Sequence, residues 1–110
     1  MAVSATSALA QDVEVGKKAF NVCIACHTTE KGVNGVGPSL AGIVGSRAGD
    51  VEGFRFSGPM KRSGIIWNAD TLNKYIANPQ LVVPGNRMPY SGMQDAEMRA
   101  ALVKYLETLK

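Results

Sequence analysis

The chain has 110 residues, a formal net charge of +3 and 45% hydrophobic residues, with two cysteines and one histidine in all. That length supports one domain with one core, and no apolar run nears the ~18 residues of a membrane-spanning helix. Lysines and arginines are scattered without a basic stripe or interleaved aromatics, which excludes a nucleic-acid surface and favours, mildly, an acidic protein partner.

Met1 to Ala10 ends in Ala8-x-Ala10, a small-x-small cleavage pattern before Gln11, but lacks the charged start and most of the apolar stretch of a leader. Residues 1–10 are therefore expected to be the tail of a signal peptide cleaved near Ala10/Gln11, with residues 11–110 as the domain; an arbitrary Ala/Ser-rich arm is the alternative. A first helix is predicted from Asp12, a good N-cap with Glu14 in the first turn, to about Cys26. Gly16 and Phe20 lie four apart on one face of it, with the glycine suited to a close helix crossing.

Both cysteines and the only histidine fall within Cys23-Ile24-Ala25-Cys26-His27. C-x-x-C-H is the attachment signature of a c-type haem. On a helix, residues three apart share a face, so two thiols can reach the two vinyl groups of one porphyrin, and the next histidine is carried under the ring. A thioredoxin-like dithiol usually belongs to a βαβ pattern, and none is visible. A structural zinc wants four ligands, whereas cysteine and histidine here number three. A plain disulfide leaves His27 unexplained. In an exported protein, thioether bonds also keep the two thiols from oxidising together.

Nine of the twelve glycines lie between Gly32 and Gly64, without sustained periodicity. So long an irregular connection is unusual in a compact domain, but makes sense if it wraps a large apolar cofactor. Leu40, Ile43, Val44, Phe54, Phe56, Ile65 and Ile66 are too apolar for a disordered linker. A second helix is predicted from Asn68 or Asp70 to Ala77, apolar through Leu72, Tyr75 and Ile76, and stopped by Asn78-Pro79. A last helix is predicted from Gln94 or Asp95 to the end, with Met98, Leu102, Tyr105, Leu106 and Leu109 as its core stripe. Gly16 and Phe20 are expected to pack against Leu102 and Tyr105. No strand pair is expected.

With His27 as a fifth iron ligand and no second histidine, methionine sulfur is the expected sixth, unless the site is open. Met98 reads as core, and Met60 and Met93 as loop residues. Met88 is preferred because Val83-Pro84-Gly85-Asn86-Arg87-Met88-Pro89-Tyr90 fixes the backbone on both sides with prolines and a glycine. The competing class is an enzyme or sensor whose open site binds peroxide or a gas beside a polar distal donor.

The ordered set Gly16-x-x-x-Phe20, Cys23-x-x-Cys26-His27, Gly37-Pro38-x-Leu40, Trp67, Tyr75, Asn78-Pro79, Pro84-Gly85-x-x-Met88 and Leu102-x-x-Tyr105-Leu106 resembles the class I cytochromes c, of the small bacterial cytochrome c2 type and similar to mitochondrial cytochrome c. The resemblance covers nearly all of Gln11 to Lys110. It implies an all-α fold with crossing terminal helices and long loops around one covalent haem c. It also implies thioethers at Cys23 and Cys26, and His27 and Met88 as iron ligands. The Pro38 carbonyl would accept from His27, Trp67 would donate to a haem propionate, and Tyr75 would sit beside the Met88 sulfur.

The implied role is not enzymatic. It is that of a soluble, monomeric, one-electron carrier of the bacterial periplasm. Such a carrier shuttles electrons from a quinol-oxidising cytochrome bc complex, or a periplasmic dehydrogenase, to a terminal oxidase or a photosynthetic reaction centre. Ser46, Phe56 and Met60 replace an arginine, a tyrosine and an asparagine of the mitochondrial pattern near the buried propionate, with Arg47 as a compensating cation. Few cations ring the expected haem edge, Arg87 being the clearest, so docking is expected to rest on apolar contact around Val22, Val83, Pro89 and Tyr90.

Overall fold

The computed structural model describes residues 5–110, with side chains from Asp12 onward. Its α-helices are α1 (Ala5–Ala19), α2 (Gly58–Arg62), α3 (Ala69–Ala77), α4 (Pro79–Val82) and α5 (Ala96–Glu107), and a 3-10 turn, Phe20–Val22, follows α1. Among the described residues there is no strand; one isolated antiparallel bridge joins Arg47 to Ile66. The fold is all-α, as expected.

Helix α1 differs from its expected bounds at both ends. It begins before Asp12, because Ala, Ser, Leu and Gln continue a helix at little cost, and Asp12 pairs with Lys104 at 3.2 Å instead of capping. Of the expected leader tail, residues 1–4 lie outside the described residues, as do the side chains of 5–11. At its other end the regular helix stops at Ala19, and the chain tightens into i+3 bonds: Cys23 N–H to the Phe20 carbonyl at 2.8 Å, Cys26 N–H to the Cys23 carbonyl at 3.1 Å. Three residues per turn aligns positions 20, 23 and 26 on one side.

The terminal helices cross at Gly16. A Cβ there would overlap the Ala101 carbonyl oxygen and lie 2.8 Å from the Tyr105 Cβ, so only glycine permits the approach. Phe20 and Tyr105 continue the contact with ring centroids 5.4 Å apart. Leu102 and Leu106 are buried as expected, joined by Ala101 and Val103, but Met98 at the start of the stripe is 42% exposed. It lies in the first turn of α5, beyond the crossing with α1.

Local capping explains the other bounds. Asn68 accepts from Thr71 N–H while Thr71 Oγ1 accepts from Asn68 N–H, each at 2.9 Å, a reciprocal capping box that opens α3. Asp95 caps α5 by accepting from Glu97 and Met98 N–H. Leu72, Tyr75 and Ile76 form the buried side of α3.

The glycine-rich segment is held by hydrogen bonds in place of regular structure. Asn34 accepts from Ser39 N–H and donates to the Glu52 carbonyl, at 2.9 and 3.1 Å. Ser46 and Ala48 exchange backbone bonds of 2.8 Å with Trp67 and Ile65, clasping the segment shut. Within it α2 was not anticipated, and Met60, expected on a loop, is a buried residue of that helix. Met93 is also buried, its N–H bonded to the Ile76 carbonyl at 2.9 Å.

Candidate functional site

The helices and the clasped loop enclose a predominantly apolar cavity of about 450 Å³. Cys23, Cys26 and His27 lie on its wall, and so do Met88, Trp67 and Tyr75. The C-x-x-C-H segment reaches that wall because the tightened end of α1 turns the Cys23 and Cys26 side chains inward, while Ile24 is left 63% exposed. His27 N–H bonds the Cys23 carbonyl at 2.9 Å, fixing the histidine relative to the first thiol.

The imidazole is oriented by its other neighbours. His27 Nδ1 lies 2.7 Å from the Pro38 carbonyl oxygen. A carbonyl can only accept, so Nδ1 carries the proton and Nε2 keeps its lone pair for a metal. Burial lowers the histidine pKa, and the Pro38 bond works against this more weakly, so the neutral ligand form prevails at neutral pH. Gly37 makes the fit possible: a Cβ there would lie 2.8 Å from Nδ1.

Two of the methionines line the cavity, Met60 and Met88; Met93 and Met98 do not. The structure thereby narrows the choice of a sulfur ligand without using the loop argument. Burial pushes Tyr75 up to about 12, so it remains a phenol, and it meets Trp67 edge-to-face at 5.0 Å. Burial also pushes the Cys23 thiol up to about 11, with Cys26 adding to the shift.

The polar edge differs from the arrangement implied by resemblance. Ser46 is absent from the cavity wall and donates to the Ile43 carbonyl at 2.6 Å. Phe56 and Met60 are apolar members of the wall, and Phe56 packs on Phe54 at 4.8 Å. Three exposed guanidiniums, Arg47, Arg55 and Arg87, also border it, and none forms an ion pair among the described residues. Arg55 was not singled out from the sequence; its place between two phenylalanines that face the cavity is the only signal. Val83, expected on the docking surface, is 3% exposed and belongs to the core, whereas Val22 and Val36 stand at the rim, 60% and 71% exposed.

A large apolar cavity, two thiols and a neutral imidazole on its wall, thioether sulfur, an indole lining it and unpaired cations at its edge together fit a haem. This defines a covalent-haem protein of all-α type. The cytochrome c family model matches residues 13–110. A cytochrome c2 iso-2 of Magnetospirillum molischianum is 50% identical over 91 residues, covering 83% of this chain and 94% of that protein. Cytochrome c2 of Rhodopila globiformis is 50% identical over 96 residues, covering 86% and 91%. Among solved structures, cytochrome cH from Methylobacterium extorquens superposes with a TM-score of 0.83 at 41% identity, covering 87% of this chain and 97% of that one. The chain belongs to the cytochrome c family, of the cytochrome c2 type. It is a haem c electron carrier, not an enzyme.

Proposed function

We propose that Cys23 and Cys26 would carry the haem through thioethers, and that His27 and Met88 would be the protein ligands of its iron. The observation that carries this reading is the His27–Pro38 bond, which leaves Nε2 as a ligand on the wall of a cavity that Met88 also lines. When bound, the haem supplies an iron that gains and loses one electron. Pro38 fixes the imidazole, Trp67 donates to a propionate, and Tyr75 offers a phenol O–H beside the methionine. Arg47 and Arg55 take the counter-charge role that Ser46 and Phe56 have lost. Ligands held alike in both oxidation states leave little to rearrange, which favours fast transfer. Sulfur ligation raises the potential relative to a bis-histidine site.

We infer that the carrier acts as a soluble monomer in the bacterial periplasm. No helix among the described residues is long and apolar enough to cross a membrane. Donors are a quinol-oxidising cytochrome bc complex or a periplasmic dehydrogenase; acceptors are a terminal oxidase or a photosynthetic reaction centre. Carbon monoxide provides the test of a closed sixth site. The ferrous protein should show an unchanged spectrum under the gas, and the denatured chain should keep its haem. A ready carbon monoxide adduct would favour the gas-binding class.

A further inference from the structure

The segment that presents Met88 is tethered by side chains as well as by its prolines. Asn86 is buried, and its Nδ2 donates to the Pro79 and Val83 carbonyls at 3.0 and 2.9 Å, using both hydrogens of the amide. Its Oδ1 accepts from Met88 N–H at 2.8 Å. Pro79 is among the most deeply buried side chains, so the ligand's own backbone is tied through one amide to a fixed point of the core. Gln80 adds a second tie from α4: its Nε2 donates to the Asn86 carbonyl at 3.0 Å and its Oε1 accepts from Gly85 N–H at 3.1 Å.

We propose that Asn86, braced by Gln80, is the positioning residue that sets how readily Met88 leaves the iron; this rests on Met88 as the sixth ligand. The Met88 N–H bond to Asn86 exists only while residues 86–88 keep this turn. Withdrawing the sulfur from the cavity moves the Met88 backbone and breaks that bond, so its free energy biases the equilibrium toward the ligated state. Removing the amide also takes one of two hydrogen bonds from each of the Pro79 and Val83 carbonyls, which keep those from Val83 and Asn86 N–H, so the closed loop alone loses stabilisation. Both effects favour opening. The prolines restrict torsions within the loop and Gly85 supplies its positive-φ turn, whereas these amides tie it to its surroundings.

Imidazole displacement from the ferric holoprotein measures the opening, because an external ligand binds only where the sulfur has left. Asn86→Ala is expected to bind imidazole about tenfold more tightly, a difference of about 1.4 kcal/mol. Gln80→Ala, at an exposed position, should show a smaller gain of a few-fold, and Asn86→Ser should fall between Asn86→Ala and wild type by keeping an acceptor for Met88 N–H. Asp95→Ala removes a cap of α5 and reports general destabilisation; it should stay within about twofold of wild type. The proposal is overturned if Asn86→Ala stays within about twofold of wild type, or if Asp95→Ala shifts binding equally. Should Asn86→Ala not fold, unchanged binding in both Gln80→Ala and Asn86→Ser overturns it. Failure of the ligand assignment looks different: the methionine–iron absorption band would then persist in Met88→Ala itself.

Discussion

Gly37 shows how little room the histidine has. Its φ is not in the left-handed region, so a side chain there meets no backbone objection, only the His27 ring. Gly37→Ala should cost about 1–3 kcal/mol of stability, as overpacking does, and should disturb the His27–Pro38 bond. Denaturant unfolding reads the first effect and the His27 ring resonances the second; a variant with wild-type stability and unmoved resonances would contradict the packing argument. Spacing alone made Cys23, Cys26 and His27 legible, because local geometry dictates what three residues apart can do. Met60 was not legible. Its burial depends on α2 folding over the cavity, a contact between distant parts of the chain that no local pattern records. Arg55 was hidden for the same reason, and Met98 was misplaced because the helical stripe extends one turn past the surface that covers it.

Elements with strong ends were readable from sequence. The starts of α3 and α5 followed from Asn68 and Asp95, whose side chains accept from the first turn. Helix α2 has five residues, too few for a periodic signal, although Ser57 as N-cap and Pro59 just after it are the chemistry of a helix start. The end of α1 was misjudged because helix and 3-10 turn place residues three apart on nearly the same side. The crossing of α1 and α5 was legible through Gly16, and it carries a sharp test. Gly16→Ala sets a methyl group against a backbone carbonyl and should destabilise by about 1–3 kcal/mol. Loss of the Asp95 cap should cost about 1 kcal/mol, with no change at the haem. A urea series on both variants decides whether the crossing is as tight as described; a stabilised Gly16→Ala would show that it is not.

At the scale of the whole molecule, the cofactor completes a core that the chain alone leaves hollow, since the cavity of about 450 Å³ is bounded by Phe20, Leu72, Ile76, Leu102 and Leu106. Cys23→Ala combined with Cys26→Ala should therefore yield a chain that loses haem on denaturation and folds poorly, seen as reduced helical circular dichroism. Around the rim, Val22 and Val36 are exposed and the cations bordering the cavity number three, Arg47, Arg55 and Arg87, too few for a ring of steering charge, so partner association should slow less than about tenfold from low to physiological ionic strength. A hundredfold slowing in stopped-flow would reveal strong electrostatic steering instead. The central claim is that one haem iron sits between His27 and Met88, and its most direct test is the far-red methionine–iron charge-transfer band of the ferric protein. That band should vanish in Met88→Ala and survive in Met60→Leu, the other methionine on the cavity wall. Survival in Met88→Ala with loss in Met60→Leu would contradict the account.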